Sequence, residues 1–234
     1  MRPVRIVCAT QHDEHTFRSM ELGKTLPRLN GRWRDLLRTS IVFNNREGLS
    51  TVYNQFISDE HADEILLFTH HDVYLEDYWI VQRLNEALTE YDVVGVLGQS
   101  YPFPAVEWDG KVVHWDRGTM AQGIPGDDFY NSQCEQWACS SPDRVYAISG
   151  EFIAINTETV LEHGVKFDEA FSQDFYDLDF SRSCTQAGLR LGVWPIVETH
   201  NGIGLDSVTK YGSKEMAIAE WNRQKPAYVE KWSK

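Results

Sequence analysis

The residues best equipped for chemistry stand at the end of an apolar run, in Phe68-Thr69-His70-His71-Asp72-Val73. A strand through Glu64-Ile65-Leu66-Leu67-Phe68 would deliver His70 and Asp72 to its tip, two positions apart and therefore on one side. A carboxylate beside an imidazole can ligate a divalent ion, and such an ion can hold a diphosphate. A polar loop of hydrogen-bonded histidines would have the same composition, so the motif alone leaves both readings open. A second group is Phe167-Asp168-Glu169-Ala170-Phe171, followed by Phe175-Tyr176-Asp177-Leu178-Asp179-Phe180-Ser181-Arg182. Asp177 opens a predicted helix, where free N–H groups and the dipole favour a carboxylate. Capping needs only one acid, and the density of acids here points to a general base in a cleft. The third group, Glu198-Thr199-His200-Asn201-Gly202-Ile203-Gly204, follows the last strand. His200 is either another metal ligand or a solvated loop histidine. The glycine pair lacks a third glycine and opens no clear helix, so it is no dinucleotide fingerprint.

Several elements must position these groups. Val4–Thr10 reads as a buried strand, Thr39–Phe43 as a second, Glu64–Phe68 as a third and Val93–Leu97 as a fourth. Helices are expected between them. Leu49, Val52, Tyr53, Phe56 and Ile57 share one face, and Tyr78–Leu88 reads as another helix. This alternation through about residue 98 is the pattern of a parallel α/β sheet, whose functional groups gather at the carboxyl ends of strands. Ala9–His12, Asn44–Gly48 and His70–Asp72 all sit at such ends and should be neighbours. From residue 99 to 149 the chain becomes an irregular insertion punctuated by Pro and Gly, with Trp108, Trp115 and Trp137 available either as flat stacking surfaces or to fill a core. Regular structure resumes with a strand at Phe152–Ile155, a short helix at Glu158–His163 capped by Gly164, a helix at Tyr176–Ala187 and a strand at Leu189–Pro195. The last segment, 213–234, reads as a polar helix interrupted by Pro226.

Composition narrows the classes. The 234 residues are 42% hydrophobic and 24% charged, enough for a sizeable core and not the make-up of a disordered chain. Lys and Arg number 22 against 35 Asp and Glu, a formal charge of -13. That argues against binding duplex nucleic acid, which needs a broad basic face. The first apolar run is too short for a signal peptide or a membrane span, so a cytoplasmic protein is expected. Cys8, Cys134, Cys139 and Cys184 have neither disulfide-scaffold nor zinc spacing and read as reduced thiols.

Taken in order, the motifs resemble those of the GT-A fold glycosyltransferases, in particular the family 2-like group. Asn45-Arg46-Glu47-Gly48-Leu49-Ser50-Thr51-Val52-Tyr53-Asn54 is similar to its N-x-G-L…N helix start. The run from Glu64 to Val73 is similar to the strand entering its D-x-D motif, and Gly150-Glu151-Phe152-Ile153-Ala154-Ile155 to its G-x-F-x-A-I strand. Phe167–Phe171 matches F-D-E-x-F, Asp177-Leu178-Asp179-Phe180 the E-D-x-D-L helix, and Ala187-Gly188-Leu189-Arg190 the A-G-Y-R turn. His70 stands in place of the first acid of D-x-D, Tyr176 in place of the acid before the base, and the helix arginine is displaced to Arg182.

The resemblance covers nearly the whole chain and implies one α/β domain with a mostly parallel central sheet flanked by helices. Its parts would be a nucleotide-binding half (1–98), the insertion (99–149), an acceptor and catalytic half (150–212) and a helical tail (213–234). It implies an inverting transfer from a nucleotide-diphosphate sugar, a UDP-sugar first, to the hydroxyl of a glycan or small acceptor. Ala9, Thr10, His12, Asn45, Gly48, Asn54 and His71 would line the donor site. Asp72, His70 and His200 would hold Mn²⁺ or Mg²⁺, and Asp177 would be the base. Two other readings remain: a metal-dependent hydrolase built on His70, His71, Asp72 and His200, and a nucleotide-sugar-binding module without catalysis.

Overall fold

The computed structural model describes residues 1–102, 115–118, 121–123, 130–132, 142–201 and 213–233. Three strands form parallel neighbours: the largely buried β1 (Val4–Ala9) and β3 (Ile65–Thr69), and the edge strand β2 (Leu37–Val42). Between them lie α1 (Glu14–Phe17), α2 (Glu21–Arg32) and α3 (Leu49–Phe56). Next come β4 (Val73–Leu75), α4 (Ile80–Glu90), β5 (Val93–Gly95) and β6 (Leu97–Gln99). Short strands follow: β7 (Arg117–Gly118), β8 (Ala121–Gly123), β9 (Tyr130–Ser132), β10 (Asp143–Val145) and β11 (Ala147–Ile148). The second half contains β12 (Phe152–Asn156), α5 (Thr157–Glu162), α6 (Tyr176–Gln186), β13 (Leu191–Val193), β14 (Glu198–His200) and α7 (Lys214–Trp232).

The central sheet has seven strands in the order β10-β13-β5-β12-β3-β1-β2. β2, β1, β3, β5 and β13 run one way, while β12 and β10 are antiparallel to their neighbours. The expected mostly parallel α/β sheet is therefore present, with a reversed strand at its centre. Its inner strands β3, β12, β5 and β13 are apolar on both faces, as burial between two helical layers requires. Val7, Ala9, Leu66, Phe68, Ile153 and Ile155 face one core, with α3 and α6. Val4, Ile6, Cys8, Ile65, Leu67 and Ala154 face the other, with Leu22, Leu26 and Leu29 of α2 and Ile80, Val81 and Leu84 of α4.

Three expectations need correction. The strand over Val93–Leu97 is two strands in two sheets, because the chain crosses over at Gly95, where a Cβ would lie 2.2 Å from Ile148 Cγ2. The strand over Leu189–Pro195 is confined to Leu191–Val193. Pro226 lies inside α7 without ending it, at an exposed position where the carbonyl it leaves without a donor can meet water. Gly164 and Gly188 do terminate helices, at φ +64 and +83. Trp115 packs against both cores, which favours its structural reading over a stacking platform; Trp108, Trp137, Cys134 and Cys139 lie outside the described residues.

Candidate active site

The tips of β1 and β2 are fastened together by backbone hydrogen bonds, beside the tip of β3. Thr10 N donates to Val42 O at 2.9 Å, Asn45 N to Thr10 O at 2.8 Å and Asn44 N to His12 O at 2.9 Å, with Asn44 left-handed at φ 52. Asn45 Oδ1 accepts from Glu47 N at 3.1 Å, closing a side-chain turn that shapes the loop. Between these tips lies a cleft of about 230 Å³ lined by Ala9, Thr10, Asn45, Arg46, His70 and His71, among others. The three polar clusters expected to be neighbours are neighbours.

Strand pairing gathers the metal candidates around His70, which lines this cleft. β14 runs antiparallel to β4, with His200 opposite Val73, and Asn201 N donates to Asp72 O at 2.9 Å. His200 Nε2 thereby comes 3.3 Å from Asp72 Oδ2. His70, Asp72 and His200 each offer a ligand atom within 4.8 Å of the others. Apart from that long contact with each other, among the described residues the carboxylate oxygens of Asp72 and the ring nitrogens of His200 have no hydrogen-bond partner, although all four atoms are buried. Buried polar atoms left this way are costly without a further partner, and two imidazoles with one carboxylate form a recognisable divalent-metal donor set. The residues present therefore fit a cation.

The charges around the triad are strongly coupled. Burial alone would raise the Asp72 carboxyl, but the adjacent His200, with His70 and His71, holds it well below the usual range. Burial would lower His200, but Asp72, Glu151 and Glu198 raise it to about 9. Behind the triad, Glu198 is pushed well above the carboxylate range by burial and by the neighbouring Glu151. Glu151 itself accepts a short hydrogen bond from Ser149 Oγ. His71 stands apart from the triad, its ring edge-on to His12 at 5.2 Å, which weakens the hydrolase arrangement that used all four residues.

The acidic segment divides by role. Asp168 Oδ1 accepts from Ala170 N at 2.9 Å in a turn, and Asp168 Oδ2 pairs with Lys231 Nζ at 2.7 Å. Asp179, fully buried, is held by Lys231 Nζ and Trp232 Nε1, each 2.8 Å from its Oδ1. These two acids brace α7. Asp177, partly exposed, instead accepts backbone N–H groups, Leu178 N at 2.8 Å and Gly150 N at 3.0 Å. Burial, with repulsion from Glu151, raises its pKa to about 7 against these hydrogen bonds.

Gly150 is the hinge of this half. β12 pairs with β3 so that Phe152 opposes Thr69, which brings Gly150 alongside the His70 tip. Its N–H serves Asp177, and its carbonyl accepts from the Tyr176 hydroxyl at 2.8 Å. A Cβ at Gly150 would lie 2.2 Å from that hydroxyl oxygen. Just before Tyr176, Phe175 is left-handed at φ 64, a strained state for a bulky residue. Phe175 is pinned there by Tyr228 and Trp221 of α7, each with ring centroids 5.1 Å away.

Three expected donor-site residues lie off the cleft wall. Asn54 is bound to the 167–169 turn: its Oδ1 accepts from Phe167 N at 2.9 Å and its Nδ2 donates to Phe167 O at 2.9 Å. Gly48 gives close passage to Ser172, whose Cβ would be 2.7 Å from a Cβ at 48. His12 meets the cleft-lining His71 ring edge-on. Arg182, the displaced helix arginine, lies over the Trp232 ring and donates to Trp232 O at 3.3 Å. Sequence reasoning assigned no role to Arg46, which lines the cleft, or to the hydroxyl of Tyr176. A cation between Asn45 and Gly48 was the available signal for the first; the second had none.

No protein-family profile and no curated protein matches the chain. Among solved structures it is similar to GalNAc-T7 with UDP, GalNAc and Mn²⁺, at 12% identity and a TM-score of 0.49 over 86% of this chain and 44% of that one. It is similar to A197 from STIV at 13% identity and a TM-score of 0.47, over 85% of both chains. The likeness to S. aureus TarS 1-349 is 14% identical with a TM-score of 0.49, over 93% of this chain and 65% of that one. The chain thus spans less than half of the GalNAc-T7 chain. At these scores no function transfers from them. Among the described residues no helix is long and apolar enough to cross a membrane.

Proposed function

We propose that this chain is a GT-A fold glycosyltransferase that moves a sugar from a nucleotide-diphosphate sugar to an acceptor hydroxyl, with inversion. The observation that carries this reading is the convergence of Asp72 and His200 on His70, which lines a cleft built from strand tips. The ordered motifs of the sequence support it. In this reading Ala9, Thr10, Asn45 and His71 line the donor pocket, and the exposed Arg46 faces the diphosphate. His70, Asp72 and His200 hold a divalent cation, Mn²⁺ or Mg²⁺, which when bound supplies positive charge to the diphosphate leaving group.

Asp177 takes the acceptor proton as the hydroxyl oxygen attacks the anomeric carbon. A carboxyl whose pKa is raised to about 7 suits that task, being basic enough to accept a proton yet ionised above neutrality. The reading treats 1–234 as one domain, with the donor half at 1–98 and the acceptor half at 150–212. A cytoplasmic setting fits it, with Cys8 and Cys184 as buried thiols. UDP-sugars are the first donors to try and glycans the first acceptors. The test is a donor panel with Mn²⁺, following release of nucleoside diphosphate and glycoside product. Product from one donor, lost in Asp177→Asn, is expected. Release of diphosphate with no acceptor dependence would favour hydrolysis instead.

A further inference from the structure

We propose that Tyr176 is a positioning residue of the metal centre, whose hydroxyl fixes His70 so that Nδ1, rather than Nε2, is the ring atom presented to a divalent cation. This rests on the metal-site reading above and names how one of its ligands is set. The Tyr176 hydroxyl is hydrogen-bonded to both Gly150 O, at 2.8 Å, and His70 Nε2, at 2.9 Å. A phenol has one proton, and a carbonyl oxygen can only accept. The Gly150 carbonyl is buried, where losing its donor is costly, so the phenol proton goes there. The hydroxyl oxygen must then accept from His70, and Nε2 carries the hydrogen. In a neutral imidazole with that hydrogen the lone pair is on Nδ1. A ligating histidine is commonly fixed through its second nitrogen in this way.

Two further observations make the contact specific. Gly150 leaves room for no side chain: a Cβ there would lie 2.2 Å from the hydroxyl oxygen and 2.7 Å from Cζ. The strained Phe175 immediately before Tyr176, held by α7, fixes the direction in which helix α6 begins. Two of the positions where this sequence departs from the family motifs, His70 and Tyr176, are thus in contact with each other. An imidazole in place of a carboxylate brings a choice of nitrogen, and the phenol in place of an acid makes that choice. A carboxylate at 176 would be acceptor-only and could not serve the Gly150 carbonyl.

The test is direct binding of Mn²⁺ to the whole protein without nucleotide, by calorimetry and by loss of the free-ion electron spin resonance signal. Tyr176→Phe keeps the ring and removes the hydroxyl, and is expected to weaken Mn²⁺ by about 10- to 100-fold, the usual effect of losing such an outer partner. In the same assay His70→Ala should weaken it at least as much. Equal Mn²⁺ affinity in wild type and Tyr176→Phe, with His70→Ala impaired, overturns the role of Tyr176 and leaves the metal site standing. No dependence on His70, or no binding by wild type, overturns both. A long-range ¹H–¹⁵N spectrum of the metal-free wild type gives a second readout that needs no variant to fold. The Nε2–H form of His70 is expected, and the Nδ1–H form contradicts the proposal.

Discussion

The two sides of the cleft, the proposed donor side and the proposed acceptor side, are built in different ways. On the donor side, three parallel strands end together and the loops after β1 and β2 are laced by backbone hydrogen bonds, so Thr10, Asn45 and His71 are placed by regular sheet geometry. On the acceptor side, a reversed strand brings in one glycine, and Gly150 holds Tyr176 by its carbonyl and Asp177 by its amide. That pair is aimed by a strained Phe175 under a helix from the far end of the sequence. The first arrangement spreads its precision over many ordinary contacts. The second concentrates it in a few, so single substitutions there should be far more damaging and should act on turnover more than on donor affinity.

The largest effect should come from Asp177→Asn, with transfer falling by about 10²- to 10⁴-fold, as for loss of a general base, and donor affinity nearly unchanged. Steady-state kinetics with a nucleotide-binding titration separates the two. The pH profile sharpens the point. Below a pKa of about 7 the base is protonated, so kcat should fall about tenfold per pH unit. The sign for stability is opposite: the folded pKa lies above the unfolded 3.8, so stability from this group is present below about pH 4 and lost as pH rises through about 7.

Gly150→Ala comes next. The methyl group must displace both Tyr176 and Asp177, whose Cβ would be 3.2 Å away, so overpacking of about 1–3 kcal/mol should accompany loss of most turnover. Melting curves and kcat together check it, and near-normal kcat would break the contrast between the two sides. Trp221→Ala removes one ring from above Phe175. Roughly tenfold in kcat, about 1.4 kcal/mol of barrier, with an unchanged KM for donor would show that α7 aims the base. An equal loss in both constants would point to general loosening. The smallest effect is expected from Arg46→Ala on the donor side: a KM for donor raised roughly threefold, a weaker salt dependence and an unaltered kcat, since the removed charge is exposed.

The same contrast governs what could be read beforehand. Strands β1 and β3 were legible because each is an apolar run between two cores, interrupted in β1 only by Arg5, and their polar ends follow directly. His200 was legible only as a candidate, since its approach to Asp72 depends on β14 pairing with β4 across more than a hundred residues. The split at Gly95 and the reversal of β12 left no trace in hydrophobic pattern, because buried strands look alike in either direction and in either sheet. The capping explanation for the acids proved apt for Asp168, which closes a turn, while Asp179 is an ion-pair anchor for α7. That Asn54 ties down the 167–169 turn was not legible, because a helix-start motif does not say which loop its amide will reach.

The most direct test is calorimetric titration of UDP into the protein with and without Mn²⁺, for wild type and Asp72→Ala. Metal-dependent binding by wild type that disappears in Asp72→Ala is the predicted result; UDP affinity that is the same with and without metal in both proteins would contradict a cation-held diphosphate in this cleft.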